Sequence, residues 1–259
     1  MPRSNEPGRT VASRLVEILF SFTPNRREMS LAELSRVTGL PHPTVRRLAL
    51  ELVDAGLLER NEAGSFTVGL KLWRLATLAP NTESLRAVAN PFMEDLFTAV
   101  NQHVQLVVLE QHDAVVIDRR SGTRGLELAS QVGGRLPLHA SAGGKVLLAH
   151  SSEEFIEDYL AHKLARYTAS TVTDPAVLRR ELADCRRFGV ATVRGELTRN
   201  LDSAAARIIG QDGRVQAAIS VILRAGVVQL PVIQPSVHAS GLGISRLLGW
   251  SPDTPIRRD

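Results

Sequence analysis

The stretch from Leu136 to His150, LPLHASAGGKVLLAH, contains residue types that are often used in chemistry: a serine, two histidines, and two glycines before a lysine. A phosphate-binding loop of the form GxxxxGK[ST] would need a glycine where His139 stands and a hydroxyl where Val146 stands. A hydrolase nucleophile elbow, GxSxG, would also need a glycine in place of His139. Both patterns are near-misses, so the stretch predicts neither a nucleotide site nor a serine nucleophile.

Other catalytic and metal sites are equally weak in the sequence. His139, Ser141 and Asp118 could be combined into a hydrolytic set, but no spacing brings the three together. The histidines lack the compact spacing of a zinc site, and the single cysteine, Cys185, excludes a thiolate cluster and an intrachain disulfide. We therefore expect no catalytic residue, no metal and no cofactor. A hydrolase-like enzyme centred on His139 and Ser141 remains the alternative.

The length and composition of the chain limit the types of protein that it can be. The chain has 259 residues, 44% of them hydrophobic and 22% charged, which suits a globular protein of one large or two smaller domains. The apolar runs are shorter than the roughly 18 residues that a membrane span needs, and the first ten residues lack the core of a secretory signal. We expect a cytoplasmic protein with no membrane partner and a flexible tail over residues 1–9. The formal charge of +4 permits nucleic-acid binding without arguing for it.

Residues 10–72 carry the local signals of a winged helix-turn-helix domain. After a first amphipathic helix, Ser30 and Glu33 form a capping box that starts a short second helix, and a glycine ends it. A third helix follows, in which the buried stripe centres near Val45 and Ala49. The runs LLER and SFTVG then flank a turn and predict the two strands of a wing. This order of elements favours DNA binding.

The outward face of the third helix predicts the DNA contacts. Arg47 points almost directly away from the buried stripe, and an arginine there can bond guanine bidentately. The residues predicted to contact DNA bases are His42, Thr44, Arg46 and Arg47, and those predicted to contact phosphates are Arg26, Arg27 and Arg60. Because residues 1–72 hold ten basic and eight acidic side chains, a simple solvated helix face is the alternative.

The helical pattern of apolar residues predicts a linker helix over residues 73–88. Leu70, Trp73 and Thr77 lie along one line of the helical pattern, and Pro80 interrupts it. This apolar line is either intradomain core or a dimer seam, and the sequence leaves both open. A homodimer would suit a palindromic operator in double-stranded DNA, because paired half-sites mirror the symmetry of the protein.

Residues 89–249 predict an α+β domain. Strand patterns occur at HVQLVVLE, AVVIDRR, LELASQV and ATVRG, and AAARIIG and VQAAISVIL flank a hairpin turn at QDGR. The segment DPAVLRRELADCRRFG begins with a capping aspartate and ends with a glycine, which predicts a helix. A last helix precedes a tail over residues 250–259. Antiparallel strands with helices packed on them give the fold class.

These segments are similar to those of the IclR family of bacterial transcription regulators. The matching stretches are SLAELSRVTGLPHPTVRRL, GRLPLHASAGGKVLLA, RYTASTVTDPAVLRRELADCRRFG and DGRVQAAISV, within a resemblance that runs from about Thr10 to Leu248. The resemblance implies an N-terminal winged helix, a linker helix that dimerises, and a C-terminal GAF-like antiparallel sheet flanked by helices. It also implies a small effector, often an organic or aromatic acid, and dimers that commonly pair into tetramers. Whether the chain is a repressor or an activator stays open, as does a ligand-binding protein with a vestigial DNA domain.

Under this resemblance, HASAGGK is a loop that enters a helix and contacts the effector. Ser141 is placed to cap the helix, which would leave the amides of Ala142, Gly143 and Gly144 free for a carboxylate. The alternative is a turn whose glycines serve packing in the core.

The chain departs from the family pattern at several polar positions of the effector site. Val193 and Arg194 replace acids that the family usually carries, Ser203 stands where a family cysteine lines the pocket, and Ile222 follows Ser220 where a second serine is usual. These changes make the expected pocket less anionic and more apolar. We therefore expect an acid bulkier than glyoxylate or pyruvate, with an aromatic or aliphatic body. Arg194 either pairs with its carboxylate or points to solvent, because strand side chains alternate between faces.

Overall fold

The computed structural model describes residues 10–23, 26–76, 82–121 and 131–258. The predicted tail over residues 1–9, Thr77 of the apolar line and most of the strand LELASQV lie outside these residues. The chain forms two compact units, residues 1–80 and residues 81–259. Each is described by itself below. Among the described helices, none is both long and apolar enough to cross a membrane.

The first unit is a three-helix domain with a small sheet, followed by a short helix. Thr10 accepts the Ser13 amide at the start of the first helix, the predicted capping box of Ser30 and Glu33 starts the second, and Gly39 (φ 66°) ends it. The sheet is antiparallel, with order β1-β3-β2. The elements are α1 (Val11–Phe20), β1 (Glu28–Met29), α2 (Leu31–Thr38), α3 (His42–Asp54), β2 (Leu58–Arg60), β3 (Phe66–Val68) and α4 (Leu70–Ala76).

The core of this unit is the stripe that the sequence predicted. Val45, Leu48 and Ala49 of α3 are fully buried and pack with Ile18 of α1 and Leu34 of α2. The strands β2 and β3 form the wing. The winged helix-turn-helix prediction is confirmed.

The second unit is a six-stranded antiparallel sheet with helices on both faces, in the strand order β6-β5-β4-β9-β8-β7. Its elements are α5 (Thr82–Val100), β4 (His103–Glu110), β5 (Asp113–Arg120), β6 (Arg135–Pro137), α6 (Ala142–His150), α7 (Glu153–Ala161), α8 (Pro175–Phe188), β7 (Val190–Arg194), β8 (Leu201–Ile209), β9 (Val215–Arg224) and α9 (Leu230–Leu247). The predicted α+β class with an antiparallel sheet is confirmed.

Each face of the sheet has its own hydrophobic layer. Residues such as Val107 and Ala218 pack against α6, α7 and α8, and this layer also buries Cys185. Leu106 and Ile219, which are their chain neighbours, point to the opposite face and pack against α5 and α9. Because side chains alternate along each strand, one sheet contributes residues to two hydrophobic layers, one on each face.

Strand β5 contains a β-bulge. Leu106 pairs with Asp118 and Val107 pairs with Val116, so that Ile117 is an extra residue on β5. A bulge of this kind shifts the alternation of side chains by one residue.

The described parts of the predicted linker and of the predicted C-terminal tail include residues that pack on the second unit. Helix α5 includes residues 82–88, and Leu85 is buried in the layer beneath α5 and α9, so this part of the predicted linker packs into the second unit. At the other end of the chain, the Arg257 amide donates to the Gly213 carbonyl (2.9 Å), and Arg258 pairs with Glu153 (2.8 Å). The C-terminal tail is therefore docked on the second unit.

Candidate functional site

Helix α3 presents polar side chains on the face opposite to its buried stripe. His42, Arg46 and Arg47 are exposed and Thr44 is half-buried. The Arg47 guanidinium lies 2.7 Å from the Glu51 carboxylate, one turn further along the helix. Both side chains are about half exposed, and such a pair contributes at most about 1 kcal/mol, so Arg47 can exchange this partner for another acceptor.

The predicted phosphate contacts lie outside α3. Arg26 and Arg27 are exposed in the segment between α1 and β1. Arg60 is exposed at the end of β2, where its Nε donates to the Gly64 carbonyl (3.3 Å) and its guanidinium lies 5.7 Å from the centre of the Phe66 ring. These contacts hold the cation of Arg60 at the turn of the wing.

The second unit contains a cavity between the sheet and the start of α6. Its volume is about 60 Å³, on a scale where one water molecule needs roughly 10–15 Å³. Of the residues predicted to contact the effector, those that line the cavity are Ser141, Ala142, Gly143, Val193, Ser203, Ser220 and Ile222.

The floor of the cavity is formed by neighbouring positions across the sheet. Ser203 on β8 is directly opposite Val193 on β7 and Ile222 on β9. In the next row, Ser220 on β9 is directly opposite Gln105 on β4. The floor is therefore a mixed surface, in which two serines and one amide lie among aliphatic side chains.

Several lining residues were missed by the sequence analysis. Gln105 is one of them, although a buried glutamine within the apolar strand pattern HVQLVVLE was a usable signal. Leu197 and Thr198, in the loop between β7 and β8, also line the cavity. Nothing in their local sequence distinguishes them from an ordinary turn.

The start of α6 differs from the expectation in one respect. The Ser141 hydroxyl caps the helix by accepting the Gly144 amide (3.2 Å), and it donates to the Pro137 carbonyl (2.8 Å). The Gly144 amide is therefore occupied, and Gly144 does not line the cavity. The amides of Ala142 and Gly143 occupy the first two helical positions, which have no intrahelical acceptor.

Both glycines are also needed for packing. A Cβ on Gly143 would lie 2.6 Å from Val107 Cγ2, and a Cβ on Gly144 would lie 2.6 Å from the Cα of Leu138. The helix thus approaches the sheet and the preceding loop more closely than an alanine would allow. Packing explains Gly144, whereas Gly143 serves packing and lines the cavity.

Arg194 lies outside the cavity. It follows Val193 on an edge strand, and the alternation that turns Val193 inward turns Arg194 to solvent. Of the two orientations left open by the sequence, the structure has the exposed one.

Glu196, in the loop after β7, forms a buried ion pair. The Lys145 ammonium, with 2% of its side chain exposed, lies 2.7 Å from both the Glu196 and the Glu181 carboxylates. The hydroxyls of Thr168 and Thr171 donate to the carbonyls of Gly195 and Glu196, each at 2.7 Å. These bonds hold the loop that carries Leu197 and Thr198 against the cavity.

The residues of the hydrolytic alternative do not meet. His139 Nε2 donates to the Ala165 carbonyl (2.9 Å), so Nδ1 accepts the Tyr159 hydroxyl (2.8 Å) and no ring nitrogen is left for Ser141. Burial lowers the pKa of His139, which keeps the ring neutral. Asp118 is paired with Arg120 at 2.9 Å. Among the described residues, no group of three or more His, Cys, Asp or Glu side chains is arranged to hold a metal ion.

Comparison with known proteins gives two family matches. The model of the bacterial transcriptional regulator IclR C-terminal domain matches residues 79–245. The model of the IclR helix-turn-helix domain matches residues 11–62. Together they account for both units.

Curated relatives and solved structures agree with these matches. The HTH-type transcriptional regulator KipR of Bacillus subtilis is 29% identical over 95% of this chain and 99% of its own. The transcriptional repressor IclR of Escherichia coli is 30% identical over 81% of this chain and 78% of its own. A crystal structure of an IclR homolog from Microbacterium hydrocarbonoxydans, complexed with 4-hydroxybenzoate, is 33% identical with a TM-score of 0.87 and covers 92% of this chain and 99% of that one.

Proposed function

Because the chain belongs to the IclR family of DNA-binding transcriptional regulators, we propose that a small organic acid bound in the cavity of the second unit controls its binding to an operator. Members of this family are transcriptional regulators and not enzymes. The observation that carries the proposal is the cavity itself, in which the first two amides of α6, which have no acceptor within the helix, face a floor of serine, amide and aliphatic side chains.

The lining favours an acid with a bulky apolar body. The amides of Ala142 and Gly143 and the positive end of the α6 dipole suit a carboxylate. Val193 and Ile222 suit an aromatic ring or an aliphatic chain, and the hydroxyls of Ser203 and Ser220 suit its polar substituents. The bound 4-hydroxybenzoate in the Microbacterium hydrocarbonoxydans homolog supports this size and chemistry.

For the DNA, we propose that α3 enters the major groove. His42, Thr44, Arg46 and Arg47 would contact base edges, and Arg26, Arg27 and Arg60 would contact phosphates. A homodimer, and a pair of dimers on longer sites, would bind a palindromic operator in the cytoplasm. The effector would act by binding one of two dimer arrangements more tightly than the other.

The test of DNA binding is fluorescence anisotropy with fragments selected from sheared genomic DNA, repeated over a range of salt concentrations. We expect Arg47→Ala to weaken binding of the selected fragment about tenfold or more and to relax its sequence preference. The control is Arg36→Ala, which removes an exposed arginine of α2 that is not among the proposed contacts. If wild type binds no fragment at low salt, with or without acids, the proposed DNA contact surface is wrong.

The test of the effector class is thermal stabilisation by a panel of acids. We expect benzoates and branched aliphatic acids to raise the melting temperature. Stabilisation by two- and three-carbon acids alone would contradict the proposed class.

A further inference from the structure

The bulge in β5 determines which charged side chain faces the layer that contains the cavity. Val116 points into that layer, and strict alternation would place Asp118 there as well. The extra residue Ile117 shifts the alternation, so that Arg119 is the residue directly opposite Gln105, which lines the cavity. Bulges near binding sites commonly re-aim a side chain in this way. Here the bulge places a guanidinium, and not a carboxylate, on the cavity face.

The ion pairs of the neighbouring residues support this orientation. Asp118 pairs with Arg86 of α5 (3.6 Å), and Arg120 pairs with Glu94 of α5 (3.2 Å). Helix α5 packs on the face opposite to α6. Asp118 and Arg120 therefore face away from the cavity, and Arg119 between them faces towards it.

Arg119 lies close to residues of both rows of the cavity floor. Its partner Gln105 is opposite Ser220, so Arg119 and Ser220 are separated by two strand spacings, about 10 Å. Its Nη2 lies 3.4 Å from the Nδ1 of His103. His103 is in turn opposite Ile222, a lining residue in the same row as Ser203 and Val193. The guanidinium thus lies on the same face of the sheet as the floor, one strand beyond Gln105 and next to the row that contains Ile222.

Arg119 keeps its positive charge in these surroundings, and His103 beside it is neutral. His103 is 2% exposed, and burial together with the charge of Arg119 lowers its pKa, so the ring is neutral and can accept from the guanidinium. Burial also lowers the pKa of Arg119, but an arginine stays charged at neutral pH. A partly desolvated guanidinium is the side chain best suited to a planar anionic group.

We propose that Arg119, oriented by His103, is a specificity-determining residue that binds a second anionic group of the effector. The inference rests on the proposed function, in which the first carboxylate binds the amides of Ala142 and Gly143. An acid that reaches from these amides to Arg119 would carry two anionic groups on a rigid apolar body. The preferred class is therefore dicarboxylic acids over monocarboxylic acids of the same shape.

The test is isothermal titration calorimetry of the full chain with two probes, benzene-1,4-dicarboxylate and 4-methylbenzoate. Wild type is expected to bind the dicarboxylate at least about tenfold more tightly, the ratio that one charge-assisted bond of roughly 1.4 kcal/mol gives. Arg119→Gln should remove this preference and leave the affinity for 4-methylbenzoate unchanged. The matched control is Arg120→Gln, the next arginine of the strand, which should keep the wild-type preference because it faces α5.

Other outcomes separate this inference from the proposed function. If wild type binds both acids equally, or if Arg119→Gln keeps the preference, Arg119 does not select the ligand, although the cavity still binds acids. If wild type binds neither these probes nor any acid of the panel, the proposed function itself fails. Should Arg119→Gln not fold, Arg119→Lys replaces it. It keeps the charge but loses the planar fork, and it should lower the affinity for the dicarboxylate alone by a few-fold.

Discussion

Replacement of Lys145 by methionine should destabilise the second unit strongly. The substitution keeps the length and most of the apolar volume of the side chain, but it leaves the Glu196 carboxylate, 7% exposed, without its cation. Breaking a buried ion pair from one side costs about 3–5 kcal/mol. The Glu181 carboxylate lies at the same distance from Lys145, yet it is 38% exposed and can be hydrated. Glu181→Gln should therefore cost less than about 1 kcal/mol.

Urea unfolding followed by tryptophan fluorescence measures this difference. The chain has two tryptophans, Trp73 in the first unit and Trp250 in the second, so a Trp73→Phe background makes the signal specific for the second unit. Lys145→Met combined with Glu196→Gln should regain more than half of the loss, because no buried charge is then left unpaired. A loss below about 1 kcal/mol for Lys145→Met alone would contradict a buried ion pair, since that is the range of an exposed pair.

Three further substitutions test the packing, the cavity and a buried histidine. Gly144→Ala should destabilise the second unit by roughly 1–3 kcal/mol in the same urea assay, because the new Cβ would lie 2.6 Å from the backbone of Leu138. Unchanged stability would show that the loop that contains Leu138 can move to make room for it. Ile222→Ser should weaken binding of 4-methylbenzoate by about tenfold to a hundredfold in calorimetry, which corresponds to the roughly 1.5–3 kcal/mol of burying such a side chain. A gain in affinity would contradict an apolar contact between Ile222 and the ligand. Burial lowers the pKa of His150 to about 4, so the unfolded chain binds a proton below about pH 6.5 that the folded chain does not. The free energy of unfolding should therefore decrease as the pH is lowered from 6.5 to 4, and His150→Gln should make this decrease smaller. Equal pH dependence of the free energy of unfolding in wild type and His150→Gln would contradict a neutral His150.

The elements that the sequence predicted best are those with local signals. The capping box of Ser30 and Glu33, the stripe around Val45, and the hairpin turn after Gly210 each lie within a few residues of chain. Local hydrogen bonding and periodicity determine such elements, so a single sequence is enough to find them.

The features that escaped prediction depend on pairing between distant segments. Lys145 and Glu196 are 51 residues apart, and only the folded loop between β7 and β8 brings them together. The face of Arg119 depends on a bulge in the register between β4 and β5, and no residue of AVVIDRR marks the extra position. In the candidate site, most of the predicted lining residues came from the family resemblance, whereas the occupied amide of Gly144 required the geometry of the Ser141 cap.

The burial of Cys185 has a practical consequence for measuring binding of the proposed effector in solution. Its side chain is 1% exposed, and burial raises the pKa of the thiol to about 12, so a thiolate-directed dye should not label the folded wild-type chain. No other cysteine competes for the dye. A cysteine introduced at the exposed Arg199, beside the cavity loop, would therefore carry a fluorophore at one known position without any change to the native thiol. Site-specific fluorescent labelling of this chain therefore does not require replacement of Cys185.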